Sequence, residues 1–162
     1  MTFEKHRKDE MLKRIGIAAA VLLTLSAGTA LALDGKATIE ARQTYFKGVG
    51  KEMKALNDGL KAGDPDVEAL KRSAAAIKAA SPKLLGQFPR GTGPEAGVKT
   101  GAKPEIWTKS ADFKTDAEAF MRAADKLDAA SRTGQLAAIK PAVADLGATC
   151  KACHEAFRNK DN

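Results

Sequence analysis

The sequence predicts an all-α protein, an antiparallel four-helix bundle, and three observations carry that prediction. Ala is abundant while aromatic residues make up only 5% of the chain. Runs of β-branched residues are missing, and Pro and Gly gather in a few places instead of punctuating the chain at regular short intervals. Apolar side chains recur at alternating intervals of three and four over four separate stretches, the period of one helix face.

The N-terminus reads as a targeting segment, not as part of the bundle. Met1–Arg14 is rich in charge, with Lys5, Arg7, Lys8, Lys13 and Arg14. An apolar run from Ile15 to Leu25 follows, and then small residues in which Ala30-Leu31-Ala32 fits a small-x-small cleavage pattern. Residues 1–32 are therefore expected to be a signal peptide, and residues 33–162 the bundle domain, located in the periplasm. The rival reading is an uncleaved anchor, but the apolar run falls short of the roughly 20 residues that span a bilayer.

The first helix is expected from about Asp34 to Leu60, with Ile39, Phe46, Val49, Met53, Leu56 and Leu60 on one stripe. Asp64-Pro65 reads as a cap residue followed by Pro at the first helical position. The second helix then carries Val67, Leu70, Ala74, Ile77 and Ser81, and ends near Pro82. From Leu84 to Lys109 the periodicity breaks, and Pro89, Gly91, Gly93, Pro94, Gly97, Gly101 and Pro104 mark a long connection. The only Trp, Trp107, lies near its end and reads as a plug on one end of the core. Ser110 is placed to cap a third helix with Phe113, Ala117, Phe120, Ala124 and Leu127 buried, and Thr133-Gly134 to stop it. The fourth helix has an inward seam of Leu136, Ile139, Val143, Leu146, Cys150, Cys153 and Phe157, with Pro141 as a potential kink or a reason for a later start.

Apolar residues make up 44% of the chain and charged residues 29%, enough for a core inside a soluble surface. The formal net charge is +7; residues 1–32 contribute five basic and three acidic side chains, which leaves +5 on the remainder. No basic run is interleaved with aromatics, so nucleic-acid binding is a poor reading. A diffuse excess of Lys suits an encounter with an acidic redox partner protein.

Cys150-Lys151-Ala152-Cys153-His154 has the C-x-x-C-H spacing of c-type haem attachment. At about 100° per residue, Cys150 and Cys153 stand ~60° apart around a helix, and Cys150 and His154 ~40° apart. The thiols can add to the two vinyl groups along a porphyrin edge while the imidazole reaches the iron. A thioredoxin-like C-x-x-C would open a helix within an α/β pattern. Structural zinc normally takes four ligands, and the mature chain offers only Cys150, Cys153 and His154, because the single other histidine, His6, lies in the targeting segment. A plain disulfide would leave an inward-facing histidine without a role. One covalently attached haem c is the expected cofactor, with His154 as the iron ligand.

A C-x-x-C-H on the last of four helices, behind a signal peptide, resembles the class II c-type cytochromes, the cytochrome c′ family. The resemblance spans essentially the whole mature chain. Arg42-Gln43 resembles the pair that the family places near the haem propionates, and Pro104-Glu105-Ile106-Trp107 the lead into its third helix. Arg158 matches a basic residue beside the proximal imidazole. Low-spin relatives place an iron-ligating Met four residues after that first-helix Arg, where this chain has Phe46. The resemblance therefore implies five-coordinate, high-spin iron with Phe46 over the open face. Neither Met53, two turns further along, nor Met121, on another helix, falls at that position.

The expected function is a periplasmic one-electron carrier, with reversible binding of NO or CO at the open iron position as the alternative. An enzyme such as a peroxidase is the remote alternative, since Phe46 supplies no proton for peroxide cleavage. No enzymatic activity is expected. The resemblance also implies a possible homodimer through the first two helices.

Overall fold

The computed structural model of the protein describes residues 35–160, and the segment expected to be a signal peptide lies outside the described residues. Four long helices follow one another. α1 is helical over residues 35–61, α2 over Val67–Ala80, α4 over Ser110–Arg132 and α5 over Leu136–Phe157. A single helical turn, α3, covers Glu105–Thr108 immediately before α4. Three short 3-10 turns, Ser81–Lys83, Leu85–Gln87 and Pro94–Ala96, organise the long connection. The described residues contain no strand, only an isolated antiparallel bridge between Ala102 and Arg158.

The connections after α1 and α4 are too short for a crossover, so each of those pairs runs antiparallel. α4 packs against both α2 and α5. Ile39 and Leu56 of α1, Leu70 and Ile77 of α2, Ala117 and Leu127 of α4, and Ile139 and Leu146 of α5 are all buried. The result is the antiparallel four-helix bundle that the periodicity predicts. Every residue of the expected α4 face, Phe113, Ala117, Phe120, Ala124 and Leu127, is buried.

The helix starts differ in detail from the sequence reading. The cap of α2 is Asp66, not Asp64: its carboxylate accepts a hydrogen bond from the Ala69 amide at 3.0 Å. Ser110 does not cap α4 but is its first residue. Lys109, where α3 ends and whose amide donates to the Glu105 carbonyl at 2.8 Å, holds the cap position with no side-chain hydrogen bond, since an ammonium has no acceptor to offer. At the other end of α4 Gly134 takes φ 72°, the left-handed stop that glycine permits. Pro141 neither delays nor ends α5, which begins at Leu136 and runs through it with the proline on its exposed side.

One acidic side chain lies inside the bundle. Asp128 of α4 is only 4% exposed, and it pairs with Lys78 of α2 at 3.1 Å and with Arg132 at 2.9 Å. Burial alone would raise its pKa, but the hydrogen bonds and charges of these two cations hold it below the usual carboxylate range.

Candidate haem-attachment site

The last two turns of α5 carry the C-x-x-C-H residues, and their surroundings explain why this helix end is rigid. The Lys103 amide donates to the Phe157 carbonyl at 3.0 Å, and the Asn159 amide to the Gly101 carbonyl at 2.9 Å. The Lys103 ammonium donates to the Glu155 carbonyl at 2.9 Å and, more distantly, to that of Ala156 at 3.4 Å, where the helix runs out of internal donors. Phe157 is buried and meets the Phe113 ring edge-on at 5.2 Å. The helix terminus is thus clasped to the connection on one side and anchored in the core on the other.

Cys150 and Cys153 are free thiols, half-buried against the core, but His154 beside them is exposed and not inward-facing as the sequence reading has it, because it lies off the seam that buries Phe157. Burial raises both thiols, Cys153 to about 11 with further help from the Asp116 and Cys150 charges. The Thr149 hydroxyl partly offsets the rise at Cys150. His154 is shifted the other way: partial burial, and then the positive charge of Arg158 one turn on, lower its pKa. That favours neutral imidazole, the form that ligates iron.

The donor set suits haem. Among the described residues no three His, Cys, Asp or Glu side chains gather where they could hold a bare metal ion. A porphyrin brings four nitrogen ligands of its own and asks the chain for one axial donor and, in c-type attachment, two thiols. These are the three groups that α5 presents on one arc.

On the opposite helix, α1, the Arg-Gln pair is tied to the connection. Arg42 is only 3% exposed. Its guanidinium donates to the Thr92 hydroxyl at 3.0 Å, the Thr92 carbonyl at 2.9 Å, the Thr100 hydroxyl at 2.9 Å and, weakly, the Gln87 carbonyl at 3.4 Å. Gln43 is exposed and donates to the Lys99 carbonyl at 3.2 Å. Phe46 is half-buried one turn further on, edge-on to Tyr45 at 4.9 Å and tilted against Phe88 at 5.9 Å. Met53 is directed at α5, with its terminal methyl 3.3 Å from where a Cβ on Gly147 would stand.

Phe88 is the residue that sequence reasoning missed. Its ring touches Phe46, Trp107 and Phe113, and the Arg42 guanidinium lies 4.8 Å from its centroid. Trp107 is half-buried, and its indole N–H donates to the Phe88 and Pro89 carbonyls, both at 3.1 Å. It closes this end of the bundle, as expected, but through the connection. Only one weak signal could have singled out Phe88: an aromatic residue between Gly86 and Pro89 in an otherwise aperiodic stretch.

These features define a class, a helical bundle whose final helix presents the thiols and imidazole of a C-x-x-C-H motif. A sequence profile for cytochrome c′ matches residues 37–158, and the chain belongs to that family. Its members carry covalently attached haem c, which makes them c-type cytochromes. The chain is 42% identical over 125 residues to the cytochrome c′ of Pararhodospirillum photometricum, a match covering 76% of this chain and 97% of that one. A solved cytochrome c′ with ligand-controlled dimer dissociation superposes with a TM-score of 0.73 at 30% identity, covering 78% of this chain and 97% of that one. The nitric oxide complex of a variant cytochrome c′ from Alcaligenes xylosoxidans superposes with a TM-score of 0.70 at 31% identity, again covering 78% and 97%.

Proposed function

We propose that the protein is a periplasmic one-electron carrier whose single haem c is tethered by Cys150 and Cys153 and ligated by His154, with the second axial position left open. Bound haem c supplies the one-electron iron couple and a position for a small ligand. The single observation that carries this reading is Phe46 on α1, a side chain with no atom to donate, in a half-buried rim with Tyr45 and Phe88. Partial burial and then the charge of Arg158 favour a neutral His154, and the clasp between residues 101–103 and 157–159 fixes the direction of that helix end. Arg42 and Gln43 hold the connection against α1, and from there they would position the chain beside the propionates of a bound haem. Residues 1–32 export the chain.

A second reading, reversible binding of NO or CO, is favoured by the same ring and by the NO complex known for the Alcaligenes relative. Phe46 excludes water from the open position and yields to small neutral ligands. The rim is poorly equipped for peroxide chemistry. Tyr45, next to Phe46, donates its hydroxyl to the Ala80 carbonyl at 3.1 Å, and burial pushes its pKa up to about 12. A homodimer is the natural assembly to look for, given the dimeric relative. Electron paramagnetic resonance of the ferric holoprotein, followed by NO titration of the ferrous form, tests the proposal. High-spin iron that takes up one NO per haem is the expected result; a low-spin ferric signal contradicts an open position.

A further inference from the structure

Where the 81–104 connection meets the start of α4, a groove of about 420 Å3 opens at the surface, away from the cysteines and His154. Its floor is a set of fixed rings. Phe88 and Phe113 meet edge-on at 4.9 Å, and Trp107 lies 6.3 Å from Phe88. The indole N–H is already bonded to two carbonyls, so Trp107 makes no further polar demand on an occupant. Gly93 permits the arrangement, since a Cβ there would stand 2.9 Å from the indole ring. At the lip is Leu85, the only exposed large hydrophobic side chain among the described residues. Leaving such area in water costs about 25 cal/mol per Å2, a cost that an apolar occupant removes.

The polar part of the groove has one sign. Arg90 and Lys114 line it, and no acidic side chain does. Arg90 makes no hydrogen bond or ion pair with any described residue. Lys114 has only a solvated partner on its own helix, Glu118 at 3.7 Å. A volume of this size falls within the range of small-molecule sites, about 300–1,000 Å3. An apolar floor beneath two solvent-facing cations complements a ligand with an apolar body and an anionic head. Guanidinium and ammonium groups pair with such a head most strongly when its body is held nearby.

We propose that the Trp107 groove is a binding site for an amphipathic organic anion: an aromatic ring system or short acyl chain ending in one carboxylate or sulfonate. The site is lined by none of Cys150, Cys153 and His154, shares only Phe88 with the Phe46 rim, and goes beyond the proposed carrier role. The probe is 1-naphthoate, titrated calorimetrically into the haem-loaded protein, with neutral 1-naphthalenemethanol as comparator. One saturable site is expected, at least tenfold tighter for the anion than for the alcohol. Arg90→Glu and Lys114→Glu are each expected to weaken naphthoate at least tenfold, while Arg90→Lys retains most of the affinity. Both positions are solvent-facing, and the visible spectrum reports independently that haem is still held. Absence of saturable binding overturns the proposal, as does equal affinity for the alcohol or undiminished binding by the charge-reversed variants. Binding of polyglutamate without naphthoate binding also overturns it, because the groove would then receive an acidic protein.

Discussion

Replacing Phe46 with methionine puts a thioether at the position where the proposed open face has a ring. The two side chains are similar in volume, so the bundle should tolerate the change at a cost below about 1.5 kcal/mol. Phe46→Met is expected to convert ferric iron from high to low spin and to slow NO uptake, read by electron paramagnetic resonance and stopped-flow mixing. An unchanged high-spin signal would move the distal position to another residue. Arg42 makes a different prediction, because its guanidinium serves Thr92, Thr100 and Gln87 at once. Arg42→Met leaves acceptors in the connection without their donor and should cost about 3 kcal/mol or more, since hydrogen bonds to charged groups contribute roughly 1.5–3 kcal/mol each. Urea unfolding measures the loss. Amide exchange localises it, with protection falling in residues 87–100 and unchanged in α4.

At the scale of elements, the helix ends separate what was legible from what was not. The seam of α5 was readable because Ile139, Val143 and Leu146 repeat at helical spacing and lead directly into Cys150 and Cys153. C-x-x-C-H is likewise local in the chain, so the residues proposed to attach haem could be named from the sequence. The start of α2 was not, because Asp64 and Asp66 flank Pro65 and both resemble caps; only the Ala69 amide distinguishes them. Asp66→Ala should cost about 1 kcal/mol, and Asp64→Ala less than about 0.5 kcal/mol, by thermal unfolding. The burial of Asp128 was hidden for another reason: its partner Lys78 arrives from α2, fifty residues away. The Arg42 partners and the Phe88 ring cluster are equally distant in sequence and lie in a stretch with no period to read. Asp128 links α2 to α4 in a pH-dependent way. Its folded pKa is depressed, so its contribution is fully present above the unfolded value of about 3.9 and is lost as pH falls through the folded value. Asp128→Asn should therefore lower stability by about 1 kcal/mol at neutral pH, a modest figure because Lys78 and Arg132 are substantially exposed. The difference from the parent protein should disappear in strongly acidic solution.

The whole molecule carries its charge and its fold as separate statements. Without residues 1–32 the formal charge is +5, and the lysines are spread over the surface instead of forming one run. Oxidation of the ferrous protein by hexacyanoferrate(III), an anionic acceptor, should slow as ionic strength rises, because screening removes the attraction. A rate independent of salt would show that the net charge plays no part in the encounter. The bundle alone does not determine the function, since four amphipathic helices can enclose many cofactors. What narrows it is the end of α5, where two thiols and an imidazole share an arc and are clasped to the 81–104 connection. The direct measurement is the intact mass, under denaturing conditions, of protein matured in a host that attaches haem to cytochromes. A chain heavier than its polypeptide by one haem, with that increment lost in a Cys150→Ser, Cys153→Ser double variant, is the predicted result. A mass equal to that of the polypeptide alone would contradict covalent attachment at these cysteines.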